Sequence, residues 1–268
     1  MKKAILGLGI LLACVSFADQ LEDATDLYLN RGDVLFEANP QQAAVQLADE
    51  IISLASASSS YEAKILVAKA AYFKGSALTE KSAKLAAFEQ GIVSARNAIA
   101  LGKKSGDPAD GYFYAGTNLG RWAQTNGVMA SLARKDELAQ YMKDSMSRLA
   151  QSGMPGASLE GYGPHRLLGR MYFKLPSFAG GNIELSLQHL EIAYQKGYVD
   201  ALEGEKFALG AVFYAESLIK AGRKDQARAI LDDILQYDET NVDELNEVCE
   251  FEAVYEDLPL AKQLRSTL

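Results

Sequence analysis

The strongest constraint on the fold of this chain is a helical repeat of apolar residues that runs through most of its length. Apolar side chains recur three and four positions apart in segment after segment, and no segment shows the alternation typical of a strand. Alanine and leucine are frequent, whereas proline occurs only 6 times in 268 residues, which favours helices over strands. The sequence therefore predicts an all-α protein made of antiparallel helix pairs joined by short turns.

Turn and capping residues place the helix boundaries. The pair Asn126-Gly127 predicts a helix end, and Asn182, followed by Glu184 in the first turn, predicts a helix start. The predicted helices cover 21–31, 41–55, 61–78, 80–101, 107–125, 136–151, 158–174, 182–193, 202–221, 224–236, 242–255 and 260–268.

Two of the predicted helix pairs have the spacing of tetratricopeptide (TPR) repeats, which are units of about 34 residues. In the first pair Gly169 lies on one helix, and Ser186, Leu190 and Ala193 lie on the other. Small residues let two helices approach closely, and large residues fill the groove between them. We therefore predict a TPR-like solenoid of helical hairpins, in which the segment LPSFAGGN lengthens one turn.

The first eighteen residues have the features of an export signal. Lys2 and Lys3 precede an apolar stretch that is too short for a membrane anchor, and Ser16 to Ala18 provide small residues for cleavage. Cleavage after Ala18 would leave 19–268 as a single TPR-like domain in the periplasm. No later segment approaches the run of about 20 apolar residues that a transmembrane helix needs.

A competing hypothesis for the N-terminus is lipidation. The segment LLAC resembles a lipobox, in which Cys14 would carry the lipid and tether the protein to the membrane. Leu12 is bulky for this motif, and the apolar residues after Cys14 differ from a polar tether, so cleavage after Ala18 is favoured. In that case Cys249 is the only cysteine left, and neither an intramolecular disulfide nor a thiol-based metal site can form.

The net charge of the chain argues against nucleic acid as a partner. The net charge is −8, and nucleic-acid binding requires clustered basic residues. Acidic residues are concentrated between Arg228 and Lys262, where no basic residue occurs. We interpret this acidic run as a solvated helix face, with a docking surface for a basic partner as the alternative.

Several segments resemble one bacterial family. YEAKILVAKAAYFKGSAL, KLAAFEQGIVSARNAIAL, GYFYAGTNLGRWA and above all LGRMYFKLPSFAGGN are similar to the T component (TatT) associated with TRAP transporters. The resemblance extends to the tail, DELNEVCEFEAVYEDLPLAKQLRSTL, and thus covers most of the chain. It implies a TPR-like periplasmic protein without catalytic activity or cofactor. It also implies association with the solute-binding (P) component, assembly into trimers, and a cavity or pore for hydrophobic ligands. Family members are often lipoproteins, whereas the lipobox here is imperfect.

One predicted helix carries the first group of candidate binding residues. Tyr114, Asn118, Arg121 and Trp122 are three or four positions apart and so share a face. An aromatic ring, an amide and a guanidinium on one stripe could hold an extended ligand or peptide, with arginine binding a carboxylate. The alternative is that Tyr114 and Trp122 pack in the core and that Arg121 faces solvent.

The extended hairpin carries the second group. Arg166 and Arg170, four residues apart, form a basic stripe beside the Pro/Gly turn. Phe178, within the turn, either folds back over the helix pair or lies at an interface with another subunit or partner. His165 and His189 do not form part of a zinc-ligand set, and no metal site is predicted.

The sequence offers little support for an enzyme. The segment GASLEGYG around Ser158 lacks the second glycine and the strand-to-helix context of a nucleophile elbow. We therefore expect an exported, non-catalytic binding protein that serves a TRAP transporter as an accessory component. The alternative is a generic periplasmic TPR scaffold for envelope protein assembly.

Overall fold

The computed structural model describes residues 17–102, 108–152 and 159–268. These residues are mostly helical and contain no strand; Glu205 and Asn246 form a single β-bridge. The prediction of an all-α fold is therefore confirmed. Cys14, Ser158 and all of the predicted signal before Phe17 lie outside the described residues.

The described helices follow one another along the chain. They are α1 (Phe17–Leu29), α2 (Pro40–Ser56), α3 (Tyr61–Ala77), α4 (Lys81–Leu101), α5 (Ala109–Asn126), α6 (Val128–Gln151), α7 (Gly163–Lys174), α8 (Ile183–Tyr194), α9 (Ala208–Lys220), α10 (Lys224–Ile234), α11 (Val242–Leu245), α12 (Glu250–Glu252) and α13 (Leu258–Arg265). Two 3₁₀ turns, Arg31–Phe36 and Ser177–Ala179, and two π turns, Gln195–Val199 and Ala253–Asp257, lie between them.

Successive helices pack as hairpins, and the hairpins stack into a TPR-like solenoid. The first helices of the hairpins, α3, α5, α7 and α9, also pack side by side. In the described residues we find no comparable packing among the second helices, α4, α6, α8 and α10. The first helices therefore form the inner, concave layer of the array, as expected for stacked helical repeats.

Small residues bring the helices close together at the predicted place. A Cβ atom added to Gly169 on α7 would lie 2.5 Å from Leu190 Cγ on α8, a distance that does not occur between real side chains. Ser186 and Ala193 are fully buried in the same interface. The prediction that glycine and small residues allow close packing of this hairpin is confirmed.

Some predicted boundaries are wrong for identifiable reasons. The helix predicted over 158–174 begins only at Gly163, since the backbone of Glu160 and Tyr162 has φ angles of +46° and +63°, outside the right-handed helical region. Helix α6 begins at Val128 rather than at 136, directly after Gly127 with φ of +104°.

A long-range backbone pairing explains why two further predicted helices have the wrong extent. The amides of Gly204 and Lys206 donate to the carbonyls of Glu244 and Leu245, both at 2.8 Å. This pairing removes 202–207 from the predicted helix over 202–221. It also holds Asn246 in an extended conformation, which breaks the helix predicted over 242–255.

The C-terminal segment, residues 249–257, folds back over the concave layer. The rings of Phe251 and Phe73 on α3 pack edge to face at 5.2 Å, and Glu252 and Glu256 form ion pairs with Arg31 and Arg121. The interpretation of the acidic run as a solvated helix face is therefore wrong for this segment. Helix α13 then packs against α9 and α10.

Candidate functional site

A cavity of about 460 Å³ opens between α5, α6, α7 and α9, and Tyr72 of α3 also lines it. This volume lies in the range of about 300–1,000 Å³ that is typical of small-molecule sites. Most of the lining is apolar. The large apolar side chains are Leu119, Val128, Leu138, Leu167, Met171, Leu175, Pro176, Leu209 and Phe213.

The charged part of the lining is basic. Six basic side chains line the cavity, and none of the described Asp or Glu residues does. They are Arg121, Arg134, Lys135, Arg166, Arg170 and Lys174. Acidic residues outside the lining pair with five of these six side chains, and Arg166 is the one that forms no ion pair among the described residues.

Arg166 is the most deeply buried of these basic residues, at 7% exposure. Its Nη1 donates to the carbonyl oxygens of Glu160 at 2.8 Å and Gly161 at 3.5 Å. Among the described residues, Nε and Nη2 have no hydrogen-bond partner. A guanidinium has five N–H donors, so Arg166 keeps donors for a ligand while its position is fixed by the backbone.

Arg170 lies one helical turn after Arg166 on α7. Its Nη1 donates to the Glu216 carboxylate on α9, while its buried Nε has no partner in the described part of the chain. The Phe213 ring lies 4.0 Å from the guanidinium carbon, which holds the planar group against the cavity wall. Burial lowers the pKa of Arg170, and Glu216 opposes this shift.

Arg121 approaches the cavity from α5. It forms an ion pair with Glu256, and its guanidinium carbon lies 5.6 Å from the centre of the Tyr72 ring. Next to Glu256, Asp257 is buried, and its Oδ1 has no hydrogen-bond partner in the described residues. Burial, reinforced by Glu256, raises the pKa of Asp257 well above its ordinary value, although Arg166 and Arg121 act in the opposite direction.

The remaining basic residues of the lining are paired with acidic groups too. Arg134 bonds Glu137 at 2.9 Å, Lys135 bonds Asp136 at 2.8 Å, and Lys174 lies 3.3 Å from Glu216. These pairs are partly exposed, so a ligand could replace the acidic partner at modest cost.

The four residues of the predicted stripe on α5 do not all face one site. Tyr114 is 4% exposed and donates to the Glu160 carboxylate, and Asn118 is fully buried. Asn118 Nδ2 donates to the carbonyl oxygens of Ala68 and Tyr114. Trp122 packs under Arg134, whose guanidinium carbon lies 5.0 Å from the ring centre. Of these four residues only Arg121 lines the cavity, where it joins Arg166 and Arg170.

Leu175 and Phe178, both in the turn between α7 and α8, lie in different surroundings. Leu175 lines the cavity, whereas Phe178 is 86% exposed and does not fold back onto the hairpin. Gly181 is needed in this turn, because a Cβ there would lie 1.9 Å from the carbonyl oxygen of Leu175. Asn182 Oδ1 accepts from the amides of Glu184 and Leu185, which confirms the predicted helix cap.

The two histidines pair with each other. The Nδ1 atoms of His165 and His189 are 3.0 Å apart, and Tyr172 stacks on His189 with ring centres 5.8 Å apart. Burial, together with the charge of His165, lowers the pKa of His189 to about 4. In the parts of the chain that the structure covers, no group of three or more His, Cys, Asp or Glu side chains is placed to hold a metal ion.

Sequence reasoning missed part of the lining. Lys174 continues the stripe of Arg166 and Arg170 at the same spacing of four residues, so the signal was present. Arg134 and Lys135 lie in a segment for which no helix was predicted. Leu209 and Phe213 reach the cavity from α9, a contact between hairpins that no local pattern reports.

No helix in the described ranges is both long enough and apolar enough to cross a membrane. In comparisons with known proteins, no family model and no curated protein sequence matches the chain.

Proposed function

We propose that this chain is an exported, non-catalytic binding protein whose cavity holds a small amphipathic anion, with an apolar body and a carboxylate group. The observation that carries the proposal is Arg166. It is buried at the wall of an apolar cavity and retains hydrogen-bond donors without a partner among the described residues.

Physical chemistry favours an anion at this place. A cationic guanidinium at the wall of an apolar cavity favours an anion, and a carboxylate that accepts two N–H groups from it would form charge-assisted hydrogen bonds. Arg170, one turn further along the same helix, also lines the cavity, and its Nη1 is engaged by Glu216. The surrounding leucines, Met171 and Phe213 would cover an alkyl or aryl body, at about 25 cal/mol for each Å² removed from water.

The biological setting that we propose rests on the resemblance to the T component of TRAP transporters. The chain would act in the periplasm as a transporter-associated accessory that contacts a solute-binding protein, as a trimer or another homo-oligomer. A TPR-like array, which presents extended surfaces to partners, supports a role in binding.

The alternative is a generic periplasmic scaffold for envelope protein assembly. Scaffolds of this type use the concave face of the array to bind extended partners. In this chain residues 249–257 cover that face with buried ion pairs, so the observation favours the cavity as the binding site.

Displacement of a dansyl-labelled fatty acid tests the ligand class. Dodecanoate and its methyl ester have the same alkyl chain, but only dodecanoate carries a charge. We expect dodecanoate to displace the probe at a concentration at least about tenfold lower, because a hydrogen bond to a charged group contributes about 1.5–3 kcal/mol. Equal competition by the two, or none by dodecanoate, would contradict the proposal.

A pull-down from periplasmic extract tests the proposed association with a solute-binding protein. The tagged protein should recover a solute-binding protein of a TRAP transporter, and the complex should persist at moderate salt. Recovery of envelope-assembly factors alone would favour the scaffold instead.

A further inference from the structure

The turns within the four hairpins from α3 to α10 lie on one edge of the solenoid. The first helices, α3, α5, α7 and α9, pack side by side and run in the same direction, since each is followed by an antiparallel partner. Their C-terminal ends, and the turns that follow them, therefore point to the same side. We call this side the hairpin edge; it comprises the turns at 78–80, 127, 175–182 and 221–223 and the helix ends beside them.

Large apolar side chains protrude from the hairpin edge. Phe178 is 86% exposed, Met129 is 79% exposed and Val128 is 63% exposed. Val128 and Met129 begin α6, and Phe178 lies in the turn between α7 and α8. Packing within the chain does not account for them, and exposed apolar side chains on one edge indicate a contact surface.

The hairpin edge is also basic. The turns and the four helical residues on each side of them, the helix ends included, contain seven basic and three acidic residues. The basic residues are Lys74, Lys81, Lys84, Lys174, Lys220, Arg223 and Lys224, and the acidic residues are Glu80, Glu184 and Asp225. An excess of four positive charges on this edge contrasts with the net charge of −8 for the whole chain.

The cavity reaches the same edge. Val128, Lys174, Leu175 and Pro176 belong to the hairpin edge and also line the cavity. Lys174 and Lys220 flank the Phe173 ring, with Nζ atoms 5.2 Å and 4.6 Å from its centre, which places flexible basic groups beside Leu175 and Pro176.

We propose that the hairpin edge docks on an anionic lipid bilayer, with Phe178, Met129 and Val128 inserted among the lipids and the lysines at the headgroups. Protein interfaces are depleted of lysine at their centre, whereas lysines around protruding apolar side chains are the usual composition of a membrane-binding surface. The cavity then exchanges its amphipathic ligand with the bilayer. Only this exchange rests on the function proposed above; the docking does not.

Vesicle flotation tests the docking. The exported protein is mixed with phosphatidylcholine vesicles with or without phosphatidylglycerol at low salt, and every variant carries Cys14→Ser so that no acyl chain anchors it. We expect binding to the anionic vesicles only. Phe178→Ser with Met129→Ser should weaken it at least about tenfold, as expected for lost apolar insertion. Lys81→Glu with Lys224→Glu should weaken it by at least about fivefold for each charge.

The opposite edge provides a matched control. Leu202, at 70% exposure, and Val199, at 49% exposure, lie between α8 and α9, so Leu202→Ser with Val199→Ser should leave vesicle binding unchanged. Equal loss in this control, equal binding to neutral vesicles, or no binding by the parent would overturn the proposal. Recovery of an acidic protein through the hairpin edge, without vesicle binding, would overturn it as well.

Probe displacement without vesicles separates the two proposals. Phe178 and Met129 do not line the cavity, so Phe178→Ser with Met129→Ser should bind dodecanoate like the parent while losing vesicle binding. If dodecanoate does not bind but the vesicle results hold, the proposed ligand is wrong and the docking stands.

Discussion

Arg31 and Glu252, which are 221 residues apart in the sequence, form a buried ion pair with Nε and Oε1 separated by 3.4 Å. The two side chains are only 3% and 12% exposed, and the Arg31 guanidinium carbon lies 4.3 Å from the centre of the Tyr28 ring. This pair, with that of Arg121 and Glu256, attaches the C-terminal segment to the inner layer of the solenoid. The closed concave face thus depends on charges held away from water.

Removing one partner of the Arg31–Glu252 pair should destabilise the fold. Arg31→Met leaves the Glu252 carboxylate buried and unpaired, and we expect a loss of about 3–5 kcal/mol in the free energy of unfolding, measured by urea denaturation. Combining Arg31→Met with Glu252→Leu removes both charges and should restore a large part of this loss.

An exposed ion pair provides the reference for this prediction. Lys196 and Asp200 are 53% and 50% exposed, and Lys196→Met should change the free energy of unfolding by less than about 1 kcal/mol. If Arg31→Met costs no more than Lys196→Met, the buried pair does not hold the C-terminal segment in place.

The hairpin of α7 and α8 should not tolerate a larger residue at Gly169. Gly169→Ala places a Cβ 2.5 Å from Leu190 Cγ, so we expect a loss of about 1–3 kcal/mol in a thermal unfolding measurement. At Gly120 the nearest atom to an added Cβ is 3.4 Å away, and Gly120→Ala should be neutral or stabilise the chain by up to about 1 kcal/mol through helix propensity. Similar effects of the two substitutions would argue against tight packing at Gly169.

The histidine pair should make stability depend on pH in mildly acidic solution. The pKa of His189 is lowered to about 4, so the unfolded chain binds more protons than the folded chain between its ordinary pKa of about 6.5 and that value. The contribution of neutral His189 to the free energy of unfolding is therefore fully present above about pH 6.5. It is lost as the pH falls towards 4.

His189→Gln isolates this effect. Because His189 is partly exposed, we expect the parent to lose only about 1–2 kcal/mol more than His189→Gln between pH 7 and 4, as measured by urea denaturation at each pH. Parallel pH profiles for the two proteins would show that the pair does not titrate as described.

The sequence predicted the helical class because the periodicity of 3.6 is repeated in nearly every segment. It also predicted the close approach of α7 and α8 at Gly169, Ser186 and Ala193, since the spacing of small and large residues indicates which faces of a hairpin meet. The stripe on α5 was only partly informative. Helix α5 is surrounded by α3, α4, α6 and α7, so Tyr114 and Asn118 face the core while Arg121 faces the cavity.

Interactions between distant residues account for what the sequence could not predict. Glu252 and Glu256 resemble solvated acids until Arg31 and Arg121 are brought beside them by the fold. The cavity likewise requires Phe213 on α9 to face Arg170 on α7, a contact between two hairpins. Local spacing contains no information on either arrangement.

The most direct test of the account is a titration of dodecanoate into the parent protein, Arg166→Gln and Arg228→Gln. Glutamine retains polar donors near Glu160 and Gly161, and Arg228, on α10, donates to the carbonyl oxygen of Leu268 and does not line the cavity. The account predicts that Arg166→Gln, still folded by circular dichroism, binds dodecanoate at least about tenfold more weakly, while Arg228→Gln binds it like the parent. Unchanged affinity in folded Arg166→Gln would contradict the claim that this buried arginine receives the anionic group.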